Sequence, residues 1–180
     1  QLFLLFLFFS TAAFADDGSR LWLNYDLIKE AKQRESYAPF TKFIAVSSDN
    51  QTLKIATEEL QMGLQGLLGK KIATVKTATS TGGILLNVNK NAPSNANLSN
   101  EGFEIYTEKG NIVISSKSET GVLYGVFELL RAIQTGKSLA KLSITSSPKV
   151  KIRMLNHWDN ANGTVERGYA GSSMWKWNEL

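Results

Sequence analysis

Residues 111–136, NIVISSKSETGVLYGVFELLRAIQTG, decide the layers of this chain. Ile112, Val113 and Ile114 are apolar in succession, so the strand they form is buried on both faces and belongs inside its sheet. Ser116 with Glu119 three residues later has the form of a capping box. The helix it opens carries Val122, Val126, Leu129, Leu130 and Ile133 and is stopped by Gly136. Gly121 and Gly125 stand one turn apart on it. Each glycine costs about 1 kcal/mol relative to alanine in a helix interior. The expected compensation is a tight approach of this helix to the sheet.

Working upstream, Phe103–Thr107 and Asn111–Ser115 read as a β-hairpin across Glu108-Lys109-Gly110. Residues 89–100, NKNAPSNANLSN, are a polar loop. Lys71–Lys76 and Ile84–Val88 read as strands separated by a turn at Gly82-Gly83. Before them, Leu53, Ala56, Leu60, Leu64 and Leu67 recur at spacings of three and four, one face of an amphipathic helix. It opens after Ser48-Asp49-Asn50 and stops at Gly69, with Glu58 and Glu59 on the wet side. Lys42–Ser47 reads as a short strand, and Asp26–Arg34 as a short helix ended by Ala38-Pro39. Downstream, Ser143–Pro148 reads as a hinge and Lys151–Leu155 as a strand. The expected fold class is α/β of the α+β kind, a mixed β-sheet with helices packed on it. No internal repeat is visible.

At 180 residues there is room for one ordinary domain and part of another. The chain is 43% hydrophobic and 20% charged, as soluble globular proteins are. Leu2–Phe9 is an unbroken apolar run, followed by Ala13-Phe14-Ala15. That is the h-region and small-residue cleavage site of a signal peptide, with cleavage expected before Asp16. The run is too short to span a bilayer. The basic n-region and initiator Met are missing, so the reading frame is expected to extend further upstream. The implied localisation is secreted or periplasmic. With no cysteine, neither disulfides nor thiolate metal sites are available. The net charge of +4 comes from scattered residues, the closest being Lys70-Lys71 and Lys149, Lys151 and Arg153. A solvated surface explains this better than a phosphate-tracking patch, so no nucleic-acid partner is expected.

The chemistry-bearing residues gather near the end. Leu155-Asn156-His157-Trp158-Asp159-Asn160 is followed by Gly163-Thr164-Val165-Glu166-Arg167-Gly168-Tyr169-Ala170-Gly171. His157 is the only histidine, and without a second imidazole or a cysteine it makes no metal site. It suits substrate contact and loop orientation equally. Trp158 offers a flat indole for the C–H face of a sugar, or a packing element between domains. Asp159 and Glu166 invite comparison with the paired carboxylates of glycosidases, but one sequence cannot give their separation. Glu166 and Arg167 suit an ion-paired loop support or a polar contact at a pocket's edge. Gly168, Ala170 and Gly171 give backbone freedom around Tyr169.

The stretch Arg153–Gly171, with NHWDN and GTVERGYAG, resembles the opening of the catalytic barrel of family 67 glycoside hydrolases, the α-glucuronidases acting on xylan side groups. The resemblance extends more loosely to Glu101-Gly102-Phe103 and to Gly121–Arg131, which resembles a helix of the non-catalytic N-terminal domain shared with hexosaminidases. Ser172 departs from it, where a basic residue is the family's habit. After the signal peptide read over 1–15, the resemblance implies a hexosaminidase-type N-terminal domain over 16–147 and the first strand of a (β/α)8 barrel within 148–180. It implies inverting hydrolysis of the α-1,2 bond between (4-O-methyl-)glucuronic acid and xylose in xylo-oligosaccharides, without cofactor or metal. Trp158 would pack on the uronic acid, with His157, Asp159 and Asn160 shaping that wall and Glu166, Arg167 and Tyr169 at its edge. No catalytic residue is expected in this chain, because the family's acid and base lie on later barrel strands. The chain alone is therefore expected to be inactive, and any homodimer would form through parts not present in it. Rival readings are another barrel glycosidase of hexosaminidase type and a secreted, non-catalytic carbohydrate-binding module.

Overall fold

The computed structural model describes residues 24–89 and 98–154. Contacts divide the chain into one unit over Gln1–Ser147 and another over Pro148–Leu180. The described part of the first unit contains α1 (Ala31–Tyr37), a 3-10 turn (Ala38–Phe40), β1 (Phe43–Val46), α2 (Gln51–Leu68), β2 (Ala73–Val75) and β3 (Ile84–Val88). There follow β4 (Phe103–Glu108), β5 (Asn111–Ser116), α3 (Glu119–Gln134) and β6 (Ser143–Ser146). The six strands form one sheet in the order β2-β1-β3-β5-β4-β6. Only β4 runs against the rest: β1 pairs in parallel with β2 and β3, β3 with β5, and β4 antiparallel with β5 and β6. The mixed sheet with helices packed on it is the fold class the sequence implied.

The core lies between one face of the sheet and α2 and α3, which also pack on each other. All five apolar positions read for α2 are buried. The Oδ1 of Asn50 caps that helix, accepting from the Thr52 N–H at 2.8 Å and the Leu53 N–H at 3.4 Å. Losing such a cap costs about 1 kcal/mol. Asn50→Ala should therefore lower the urea midpoint and Asn50→Asp should keep it. Equal midpoints for all three proteins would show that the cap contributes nothing.

β5 sits inside the sheet, as its apolar triplet requires, with Ile112 and Ile114 facing the helices. The hairpin between β4 and β5 turns on Lys109 and Gly110, at φ 47° and 78°. Two successive left-handed residues match the twist of antiparallel strands. The tight approach of α3 is real. A Cβ built on Gly125 would lie 2.5 Å from the Ile114 Cγ2, and one on Gly121 would lie 2.6 Å from the Gly102 carbonyl oxygen.

Several local expectations are corrected. The first helix begins at Ala31 rather than Asp26. The Ile28 N–H donates to the Leu67 carbonyl at 3.0 Å, and the Tyr25 hydroxyl to Glu59 Oε1 at 2.6 Å, so this segment is spent on α2. Glu59 is thus half-buried while Glu58 is exposed. The cap of α3 is Ser118, whose Oγ accepts from the Gly121 N–H at 3.2 Å. Ser116 is committed to β5, and its buried hydroxyl donates to the Gly102 carbonyl at 2.6 Å. Lys71–Lys76 contracts to an exposed edge strand of three residues, Ala73–Val75.

Ser143–Ser146 is a strand rather than part of a hinge, in register with β4 from Phe103↔Ser146 to Tyr106↔Ser143. An edge strand needs few apolar residues, and here Ile144 alone packs on the core, so its composition imitates a linker. Residues 151–154 belong to no strand, and Val150, Ile152 and Met154 are 61%, 73% and 79% exposed. A strand exists only through a hydrogen-bonded neighbour, which an alternating sequence cannot supply alone.

Candidate functional site

His157, Trp158, Asp159, Asn160, Glu166, Arg167 and Tyr169 all lie outside the described residues. Ahead of them, Arg153 Nη1 donates to the Val150 carbonyl at 2.6 Å. Tyr124, in the α3 tract that carried the looser resemblance, is half-buried and packs on the core.

The described domain presents two concavities of its own. One, of about 560 Å³, opens at the C-terminal end of β1 and is lined by Ser48, Asp49, Lys54, Thr57, Glu58 and Gln61 among others. Its deeper groups are already engaged: the Thr57 hydroxyl donates to the Leu53 carbonyl at 2.7 Å, and Gln61 Nε2 to the Ile72 carbonyl at 2.8 Å. The charges left, Asp49, Lys54 and Glu58, are of mixed sign and exposed, so no single ligand charge is selected.

The other, of about 290 Å³, lies along β4 and β6 and is lined by Glu104, Tyr106, Ser143 and Thr145, with Ile105 and Ile144. It is on the sheet face away from the helices, because Phe103, Ile105 and Ile144 point into the core and their neighbours in each strand point the other way. Burial, reinforced by Glu108 and Glu104, pushes the Tyr106 phenol up, so it remains a protonated donor. These residues were legible only as alternate positions of a hairpin arm. The signal was the alternation Glu104, Tyr106, Glu108 opposite the apolar Phe103 and Ile105. Among the described residues, no group of three His, Cys, Asp or Glu side chains could hold a metal. Among them, too, no helix is long and apolar enough to cross a membrane.

Comparison with known proteins divides the chain within α3 rather than at Ser147. Residues 21–129 match the family described as glycosyl hydrolase family 67 N-terminus, and residues 132–180 its middle domain. The chain is 32% identical over 172 residues to the probable alpha-glucuronidase A of Aspergillus terreus, covering 89% of this chain and 20% of that protein. It is 31% identical over 199 residues to the alpha-glucuronidase of Hypocrea jecorina, covering 100% of this chain and 23% of that one. It thus spans about a fifth of the length of the curated relatives it matches. Among solved structures, the N-acetyl-beta-hexosaminidase of Streptomyces plicatus aligns over 62% of this chain and 23% of its own, at 17% identity and a TM-score of 0.44.

Proposed function

The chain belongs to glycosyl hydrolase family 67, and from that premise we propose that the whole protein is a secreted or periplasmic α-glucuronidase acting on xylo-oligosaccharides that bear glucuronic acid. The observation carrying this reading is the order of the two family matches, the N-terminus over 21–129 and the middle domain over 132–180. Residues 16–147 are proposed as the non-catalytic N-terminal domain and 148–180 as the beginning of the catalytic barrel.

Hydrolysis of the α-1,2 bond to xylose needs a carboxylic acid to protonate the leaving oxygen. It also needs a carboxylate to activate water on the opposite face, the inverting arrangement. Neither role is assigned to a residue of this chain. Its proposed contribution is a wall for the uronic acid, with Trp158 against the sugar face and His157, Asp159 and Asn160 reaching its hydroxyl and carboxylate groups. Glu166, Arg167 and Tyr169 are proposed at the rim. A pocket wall of this kind holds the sugar in line with acid and water, which is where orientation lowers the barrier.

The test is to express the full-length protein and follow aldouronic acids by proton NMR. The expected first product is the β-anomer of the uronic acid, alongside an intact xylo-oligosaccharide. Release of the α-anomer first would overturn inversion, and release of N-acetylhexosamine instead would favour the hexosaminidase reading. Export is tested on protein secreted by the native host, whose first residue is expected at or near Asp16. A soluble product retaining Phe3 to Phe9 would exclude the signal peptide.

A further inference from the structure

Lysines that are scattered along the sequence are gathered by the fold at one end of the sheet. The chain enters β1, β2 and β6 at that end, turns there from β4 to β5, and brings α2 and α3 to their C-termini there. Lys42 directly precedes β1, Lys71 lies two residues before β2, Lys109 sits in the β4–β5 turn and Lys141 lies two residues before β6. Backbone bonds hold these strand ends level. The Lys42 N–H donates to the Gly82 carbonyl at 2.9 Å, the Gly82 N–H to the Gly110 carbonyl at 3.1 Å, and the Thr107 N–H to the Leu142 carbonyl at 3.0 Å. Neighbouring strands are about 4.8 Å apart, so the row from Lys71 to Lys141 spans about 24 Å. Lys70 and Lys137 follow the ends of α2 and α3 at the same place. All these lysines are exposed, and among the described residues none of them is in an ion pair. The acid of this edge is Glu108, level with Lys141, whereas Asp49, Glu101 and Glu119 stand at the opposite end. The neighbouring α1, bonded to α3 through the Tyr37 hydroxyl, carries both signs.

We propose that this lysine row is an accessory binding surface for an acidic polysaccharide, a xylan chain bearing glucuronic acid. The proposal rests on the glucuronidase reading above and gives the same polymer a second contact. Ammonium groups spread across the strand ends suit carboxylates spread along a sugar chain. Phosphate backbones are more often gripped by arginine forks, aromatic platforms or helix N-termini. The row has neither arginine nor exposed aromatic, and α2 and α3 turn their C-terminal, negative ends toward it. One exposed lysine contributes little in water. Several within about 10 Å of each other, the Debye length at 0.1 M salt, attract one polyanion together. The effect is to hold the protein on decorated chains rather than on bare ones.

The experiment is affinity electrophoresis of the full-length protein in gels containing glucuronoxylan, the same polymer with its carboxyl groups reduced, or duplex DNA. Aldouronic-acid turnover is measured on the same preparations. Glucuronoxylan should retard the wild type more than the reduced polymer does. The difference should shrink as salt rises from about 0.01 to 0.15 M, where the Debye length falls from about 30 to 8 Å. The double variant Lys71→Glu with Lys109→Glu should bind glucuronoxylan about 10-fold more weakly, since two attractions become repulsions of the size of exposed ion pairs. Lys71→Arg with Lys109→Arg should bind as the wild type does, and so should Lys54→Glu at the opposite end. Turnover of the small substrate should be unchanged in every variant. Equal retardation by the charged and reduced polymers, or a double Glu variant retarded as the wild type is, would overturn the proposal. Stronger retardation by DNA than by glucuronoxylan at equal salt would overturn the choice of a polysaccharide. Retardation that depends on Lys71 and Lys109 in a protein releasing no uronic acid would leave this surface standing and overturn the glucuronidase reading instead.

Discussion

Replacing Trp158 with alanine in the full-length enzyme is expected to lower kcat/KM by about 30- to 1,000-fold. The size follows from losing a buried aromatic contact, about 2 to 4 kcal/mol by analogy with large-to-small truncations, at 1.36 kcal/mol per tenfold. The expectation rests on the place of Trp158 in NHWDN, between a histidine and two polar residues able to reach sugar hydroxyls. Packing between domains makes the opposite forecast, a variant that melts early but cleaves at the parent rate per folded molecule. Melting temperature and kcat/KM on one preparation separate the two. Parent-level kcat/KM would remove Trp158 from the sugar wall.

Gly121→Ala is expected to destabilise the domain by about 3 kcal/mol, the upper end of what overpacking costs. The added methyl would meet the Gly102 carbonyl oxygen at 2.6 Å and come closer still to the Ser116 hydroxyl, which itself bonds that carbonyl at 2.6 Å. Backbone and a buried hydrogen bond cannot step aside as a side-chain end can, and the helix-propensity gain of about 1 kcal/mol does not compensate. Gly63→Ala is the contrast. Its methyl would meet the Leu130 Cδ atoms at 2.6 and 2.7 Å, the free end of a side chain with other rotamers. Repacking there largely cancels the propensity gain, so the net change should stay within about 1 kcal/mol. Urea unfolding of both variants measures the difference. Equal losses would mean that α3 can shift on the sheet, and that its glycines are not there for close approach.

Much of the architecture could be read from local pattern. The apolar faces of α2 and α3 repeat at helical spacing, and both helices occur where that spacing placed them, between Asn50 and Gly69 and before Gly136. The Ile112–Ile114 triplet implied an interior strand, and Gly110 a hairpin; both are present. These features depend on residues close in sequence, or on burial so complete that both faces of a segment must be apolar. The family was legible for a related reason: NHWDN and GTVERGYAG are contiguous motifs.

What only tertiary structure decided depends on partners distant in sequence. Ser143–Ser146 is a strand because β4, far earlier in the chain, supplies its ladder in the pairing Ser143↔Tyr106 and Ser146↔Phe103. Ser116 ends a strand rather than capping a helix because the Gly102 carbonyl takes its hydroxyl. Residues 24–28 are not helical because Leu67 and Glu59 on α2 take the Ile28 N–H and the Tyr25 hydroxyl. The groove along β4 and β6 belongs with these. Tyr106 and Glu104 meet Ser143 and Thr145 only through register, so alternation in one strand marks Tyr106 as outward-facing but cannot say what stands beside it. Local sequence settled which segments are helices and which strand lies within the sheet, because propensity, capping and apolar period act over a few residues. Edge strands, docked segments and composite surfaces were left to the fold, because the groups that satisfy their backbone and side chains lie far along the chain.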